Sequence, residues 1–311
     1  MSSLRQKHGR ITLTTVSARN GPQATTGIVL MCAGVACMSA NDAIAKSLVD
    51  DYSPIQILFL RNAFALPFAI ILSLKLQGWS ALRSQRPAAH GLRGFLWIVA
   101  TILFFTSFRH IELAEATALI FVAPLFITAL SAILLRETVG ALRWLAVVAG
   151  FIGVLVVIRP GTAAFQVVSL LPISAAFIYA LLMLSARWVD SRESVWTMLL
   201  YLTGTSAVLS AFIAPFVWSP VSLGDIGSFL SIAFFGTAGM TMMTQAFRFA
   251  AAAIVAPLDY TGIVWATLFG WLFWSEIPDS AAGIGALIII CSGLFIIWRE
   301  RGVKHRSKNG R

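Results

Sequence analysis

Apolar runs of about twenty residues, separated by short polar clusters, follow one another along this chain from Gly27 to Trp298. A helix rises about 1.5 Å per residue, so such a run is long enough to cross a hydrocarbon core of roughly 30 Å. The pattern predicts ten spans, over 27–47, 54–75, 91–110, 115–135, 142–158, 168–187, 195–217, 226–247, 252–274 and 280–298. Backbone polar groups must be satisfied internally in lipid, and a helix does this within one segment. A transmembrane barrel needs alternation over about ten residues, and continuous apolar runs exclude it. The expected fold class is an all-α integral membrane protein of ten transmembrane helices. The loops are short, so consecutive helices are expected to be antiparallel neighbours.

Composition agrees. Of 311 residues 58% are hydrophobic and 12% charged, too few charges to cover a soluble domain of this length. The net charge of +10 would suggest nucleic acid in a soluble protein. Here its distribution is topological. Nineteen Lys and Arg fall at the termini and in the loops on their side, three (Lys46, Arg109, Arg159) on the other, with Arg61 inside a span. The positive-inside rule then places both termini in the cytoplasm, with the chain in the inner membrane. No nucleic-acid partner is expected. Cys32, Cys37 and Cys291 lie in apolar segments without metal spacing and are expected as buried thiols. Neither a metal nor a cofactor is expected.

The chain repeats itself. An offset of 139 carries Phe108-Arg109 onto Phe247-Arg248 and the run Ala114–Glu137, without a gap, onto Ala253–Glu276. One further residue aligns Gly153–Arg159 with Gly293–Arg299, and sets Arg61 opposite Tyr201. The expected organisation is a cytoplasmic arm (1–26), two five-helix repeats (27–160 and 161–300) and a basic cytoplasmic tail (301–311). Five is odd, so the second copy enters the membrane from the other side. Such inverted repeats recur in secondary transporters, whose halves rock about a midplane site.

These features resemble the drug/metabolite transporter superfamily, in its ten-span EamA-type members. The resemblance rests on the repeat, on Ser39-Ala40-Asn41-Asp42-Ala43-Ile44-Ala45-Lys46, on Phe59-Leu60-Arg61-Asn62, and on Ala256-Pro257-Leu258-Asp259-Tyr260 leading to Trp271-Leu272-Phe273-Trp274-Ser275-Glu276. The Asn-Asp-x-x-x-Lys pattern looks like that of S-adenosylmethionine uptake and riboflavin import members. The resemblance implies a central cavity lined by spans 1–4 and 6–9, with spans 5 and 10 peripheral and available for a homodimer. Small residues in those two spans (Ala146, Gly150, Gly153; Gly283, Gly285, Gly293) suit either a dimer or packing within the chain.

Ionisable residues inside spans cost about 2.5–3.5 kcal/mol on insertion scales, so they should face a cavity or a partner. Asn41 and Asp42 stand near the outer end of span 1, and Arg61 about two turns into span 2. One reading has Asp42 and Arg61 binding substrate or Asp42 taking a coupling proton; the other makes them a permanent ion pair. Lys46 reads as an ion-pair or snorkelling residue, and Asn62 as a helix-to-helix hydrogen bond. Asp259 is either a helix cap or, with Tyr260, part of an inner gate. Trp97, Tyr179, Tyr201 and Trp265 are candidates for an aromatic pocket, whereas Trp218, Trp274 and Trp298 read as an interfacial belt. Pro124 and Gly262 are the candidate hinge, because proline removes a helix hydrogen bond. His90 and His110 are expected as solvated loop residues.

The function these readings favour is a secondary transporter moving a small amphipathic organic metabolite by alternating access. Riboflavin, S-adenosylmethionine and an aromatic amino acid are the candidate solutes. The alternatives are a membrane-embedded enzyme, or a channel or receptor. The sequence shows no Asp-rich metal motif, clustered His or phosphate-binding glycine loop.

Overall fold

The computed structural model describes residues 22–134, 140–160, 166–185, 193–250 and 252–309. The N-terminal basic residues, Arg136, Glu137, Arg187, Arg192 and Arg311 lie outside the described residues. The described elements are all helical: α1 (Pro22–Leu48), α2 (Pro54–Gln77), α3 (Pro87–Ser107), α4 (Leu113–Ile120), α5 (Ala123–Leu134), α6 (Ala141–Ile158), α7 (Leu170–Ser185), α8 (Val195–Ile213), α9 (Ile226–Phe249), α10 (Ala252–Val255), α11 (Gly262–Trp274) and α12 (Ser280–Asn309). Eight segments among them are long and apolar enough to cross a membrane, one of them the α4–α5 run, and α12 adds the shorter apolar stretch Ser280–Ile296.

The fourth and ninth expected spans are broken helices. In the fourth, α4 stops at Ile120 and α5 restarts at Ala123. Pro124 lies in the first turn of α5, and it has no N–H to offer the carbonyl of Ile120, four residues back. The ninth runs as α10, a tighter 3-10 stretch Ala256–Thr261 that contains Pro257, and α11 beginning at Gly262. The breaks face each other. The Phe121 and Tyr260 rings, which the 139-residue offset superimposes, pack edge to face with centroids 5.1 Å apart.

Helix order in space differs from the expectation that consecutive helices pack together. The main pairings are α1 with α9, α6 with α12, α2 with α8 and α3 with α7, each joining the first half of the chain to the second. Close approach explains part of this. A Cβ at Gly34 would lie 3.0 Å from the Gly239 carbonyl, and one at Gly239 would lie 2.9 Å from the Gly34 carbonyl. Side chains at either position would push α1 and α9 apart. Gly153 and Gly285 do the same between α6 and α12, each Cβ meeting the other's carbonyl within 3 Å.

Leu145, Phe234, Leu272 and Leu287 are exposed on the outside, as lipid-facing residues should be. Trp218 is exposed after the end of α8, and Trp298 is exposed within α12, which continues past it to Asn309, whereas Trp274 turns inward onto the core. The third helix starts earlier than expected, because Pro87 occupies its first position, where a missing N–H costs nothing. His90 is therefore a fully buried helical residue and not a solvated one; His110 is exposed.

Candidate functional site

A partly open cleft with a cavity volume of about 50 Å³ lies between the two halves. Its walls are Met38 from α1, Arg61, Asn62, Ala65 and Ala69 from α2, Trp97 from α3, Leu199, Leu202 and Thr203 from α8, and Gly236, Thr237 and Met240 from α9. Arg61 is its charged group. The residue is 9% exposed, its guanidinium lies 5.9 Å from the centre of the Trp97 ring, and it makes no hydrogen bond or ion pair among the described residues.

Gly236 creates the space for this arrangement. A Cβ there would stand 2.8 Å from Asn41 Oδ1, 3.0 Å from Arg61 Nη2 and 3.1 Å from Arg61 Nε. Asn41 is completely buried; its amide donates to Asp42 Oδ1 at 2.9 Å, while its own Oδ1 accepts no hydrogen bond. Asp42 is within electrostatic reach of Arg61 without forming the ion pair considered from the sequence. Asn62 was read as a tie between helices, yet its Nδ2 has no partner. The Thr203 hydroxyl is also without a partner, whereas Thr237 Oγ1 donates to the Ala233 carbonyl at 2.8 Å.

The remaining candidates lie elsewhere. Tyr201 donates to the Leu82 carbonyl at 3.0 Å and stacks on His90, well away from Arg61. Trp265 packs with Met31 and Val35 and stacks on Phe269. The Tyr260 hydroxyl points at Gly293, where a Cβ would collide with it. Asp259 makes no capping bond and no ion pair, and shares electrostatic surroundings with Tyr179, which in turn is near Arg93. The structure thus brings together Asn41, Asp42, Arg61 and Trp97 in one group and Tyr179 and Asp259 in another. Gly236, Leu202 and Thr203 were missed. The repeat register was the available signal: an offset of 139 carries Trp97 onto Gly236, and 140 carries Asn62 onto Leu202, with all four lining the cleft.

The family model for EamA-like transporters matches this chain twice, over residues 25–159 and 167–298. The chain belongs to this family. An EamA-like chain of this kind is a multi-pass membrane transporter. Its relatives include an S-adenosylmethionine uptake transporter of Rickettsia prowazekii, 29% identical and covering 91% of this chain and 97% of its own. A riboflavin transporter of Vibrio cholerae is 31% identical over 74% of this chain and 78% of its own. A pseudopaline exporter of Pseudomonas aeruginosa is 27% identical over 89% and 98%. A crystal structure 18% identical in sequence shares the fold, with a TM-score of 0.60 over 90% of this chain and 99% of the other.

Both ends of this EamA-like bundle are tied across the halves. At one end Lys46 Nζ pairs with Glu276 and donates to the Ile111 carbonyl at 3.1 Å, while Glu276 accepts the Leu113 N–H at 3.0 Å. Arg159 pairs with Asp279, Tyr52 donates to Asp225 at 2.8 Å, and Gln56 exchanges two hydrogen bonds with the Ser219 backbone. At the other end, Glu193 gathers His90 Nε2 at 2.7 Å, the Ser84 hydroxyl at 2.7 Å and the Gln85 N–H at 2.8 Å. Burial alone would raise the Glu193 carboxyl, but these hydrogen bonds outweigh it and hold it below the usual glutamate range.

Proposed function

We propose that the chain is a secondary transporter moving a small amphipathic organic metabolite across the inner membrane by alternating access. Its ten spans form an inverted five-plus-five repeat, with both termini cytoplasmic. The observation that carries this reading is the cleft, lined by both halves at positions equivalent in the repeat and holding a buried cation that has no hydrogen-bond acceptor among the described residues. The exchanged neighbour relations support it: α1 packs on α9 as α7 packs on α3, while the α6–α12 and α2–α8 pairs are their own counterparts. Such pairing is what a two-fold relation between halves requires.

In this reading the two end networks are the gates, and one must release while the other holds. The paired breaks at Pro124 and Gly262 are the hinges, since backbone there already lacks a continuous hydrogen-bond ladder. Asp259 and Tyr179 form a second polar position suited to a coupling proton. A homodimer through α6 and α12 uses their exposed Leu145, Val148, Ile152, Ile284 and Leu287. The candidate solutes are S-adenosylmethionine, an aromatic amino acid and riboflavin. Counterflow in proteoliposomes tests the reading: unlabelled solute trapped inside should accelerate entry of labelled solute. A flux without such acceleration indicates a channel, and a chemically altered solute indicates an enzyme; either result sinks the proposal.

A further inference from the structure

Three buried basic side chains stand out among the described residues: Lys46, Arg61 and Arg93. Lys46 has Glu276 and the Ile111 carbonyl. Arg93 Nη1 donates to the Leu182 carbonyl at 3.0 Å and to Ser185 Oγ at 3.3 Å. Among the described residues Arg61 makes no hydrogen bond; the Asp42 carboxylate lies within electrostatic reach without contact, so the five donors of the buried guanidinium stay unmatched, at a cost in desolvation. Its neighbours in the cleft, Asn62 Nδ2 and the Thr203 hydroxyl, are also free to donate. Beside the unpartnered Asn41 Oδ1, the cleft offers mainly donors, and these ask for an acceptor.

We infer that the ligand of this cleft carries a carboxylate, held by Arg61 as a fork, with an apolar body extending along α2 past Ala65 and Ala69. The inference deepens the transport reading by naming the class of cargo. A planar fork matches a carboxylate through two parallel hydrogen bonds, and Trp97 covers the guanidinium where it is desolvated. A single guanidinium in a mostly apolar cleft suits one negative charge; a phosphate dianion would need further cations. Ala65 and Ala69 follow Arg61 by four and eight residues on the same helix face, so the apolar wall continues for roughly 12 Å. The small side chains there narrow the α2 wall opposite Leu199 and Leu202, which makes this the side on which an apolar body would lie. Among the candidate solutes this favours those with an amino-acid carboxylate and places riboflavin, which has none, last.

Matched acids and neutral counterparts test this on the purified full-length protein by thermal-shift titration. Suitable pairs are L-tryptophan with L-tryptophanamide, indole-3-acetate with indole-3-acetamide, and S-adenosylmethionine with its decarboxylated form, with riboflavin as the uncharged control. At least one acid should bind roughly tenfold to a hundredfold more tightly than its partner, the range expected of a charge-assisted hydrogen bond. Arg61→Gln should erase the preference, and Arg61→Lys should keep part of it. The inference is overturned if no acid outperforms its counterpart on the wild type, or if the preference survives in Arg61→Gln. Should that variant not fold, the wild-type pairs and Arg61→Lys decide. Acid preference without counterflow would leave the inference standing and remove the transport reading; counterflow of a neutral solute, indifferent to every acid, would do the reverse.

Discussion

Lys46 and Arg61 sit in consecutive helices and are about equally buried, at 6% and 9% exposure, yet their surroundings are opposite. Lys46 is saturated: a carboxylate, a carbonyl and the Trp274 ring, 5.3 Å away, all receive its ammonium. Arg61 has the Trp97 ring and nothing that accepts its protons. A charge that is paired within the protein holds the structure together. One that is buried and left without an acceptor destabilises the chain unless something else binds it, which is the mark of a ligand site.

The comparison is broken or sharpened by substitutions, beginning with the largest effect. Lys46→Met leaves the half-buried Glu276 with the Leu113 N–H but without its counter-ion, and should lower stability by about 3 kcal/mol, read from thermal or denaturant unfolding in detergent. Arg61→Gln should cost the ligand-free protein clearly less, because Arg61 makes no hydrogen bond among the described residues and Asp42 acts on it only at a distance. If the two variants lose equal stability, the distinction fails. Gly236→Ala should come next, at about 1–3 kcal/mol from overpacking against Asn41 and Arg61. Its affinity for any cleft ligand should fall together with stability, and unchanged affinity would place the ligand away from Gly236. Trp97→Leu removes the ring over Arg61 and should weaken ligand binding by about 0.5–2 kcal/mol, measured by the same titration.

The smallest effect is at the Glu193 cluster. Glu193 has its carboxyl held low by hydrogen bonds, so its contribution to stability is present at neutral pH. That contribution disappears as pH falls through the folded-state value, below the unfolded glutamate range of about 4.3. Glu193→Gln should therefore melt below the wild type at pH 7, and the two melting curves should converge towards pH 3. A gap that persists in acid would show that Glu193 acts through packing alone.

Much of the fold was legible from the sequence because transmembrane helices are written as length and hydropathy, and these are local. Pro54 and Pro87 start α2 and α3, and the apolar runs mark the remaining helices within a few residues. Arg61 and Trp97 were legible as site candidates because a charge within a span is conspicuous. Tyr201, chosen as the counterpart of Arg61, went instead to the His90–Glu193 cluster, since repeat equivalence fixes a helix position but not the direction in which a different side chain finds its hydrogen bond. Gly236 carries no chemistry of its own, and its importance appears only when Arg61 and Asn41 are seen beside it.

The sequence by itself determined that this chain is a bundle of membrane helices repeated once, with one of its runs weakened at Pro124, because each of those properties depends on neighbours along the chain. Only the tertiary structure decided that α1 packs on α9 and not on α2, that Lys46 pairs with an acid 230 residues away, and that Arg61 forms no ion pair among the described residues. Hydropathy between apolar helices is nearly the same for every pairing, so partners are chosen by small-residue contacts and long-range polar bonds that no local pattern records.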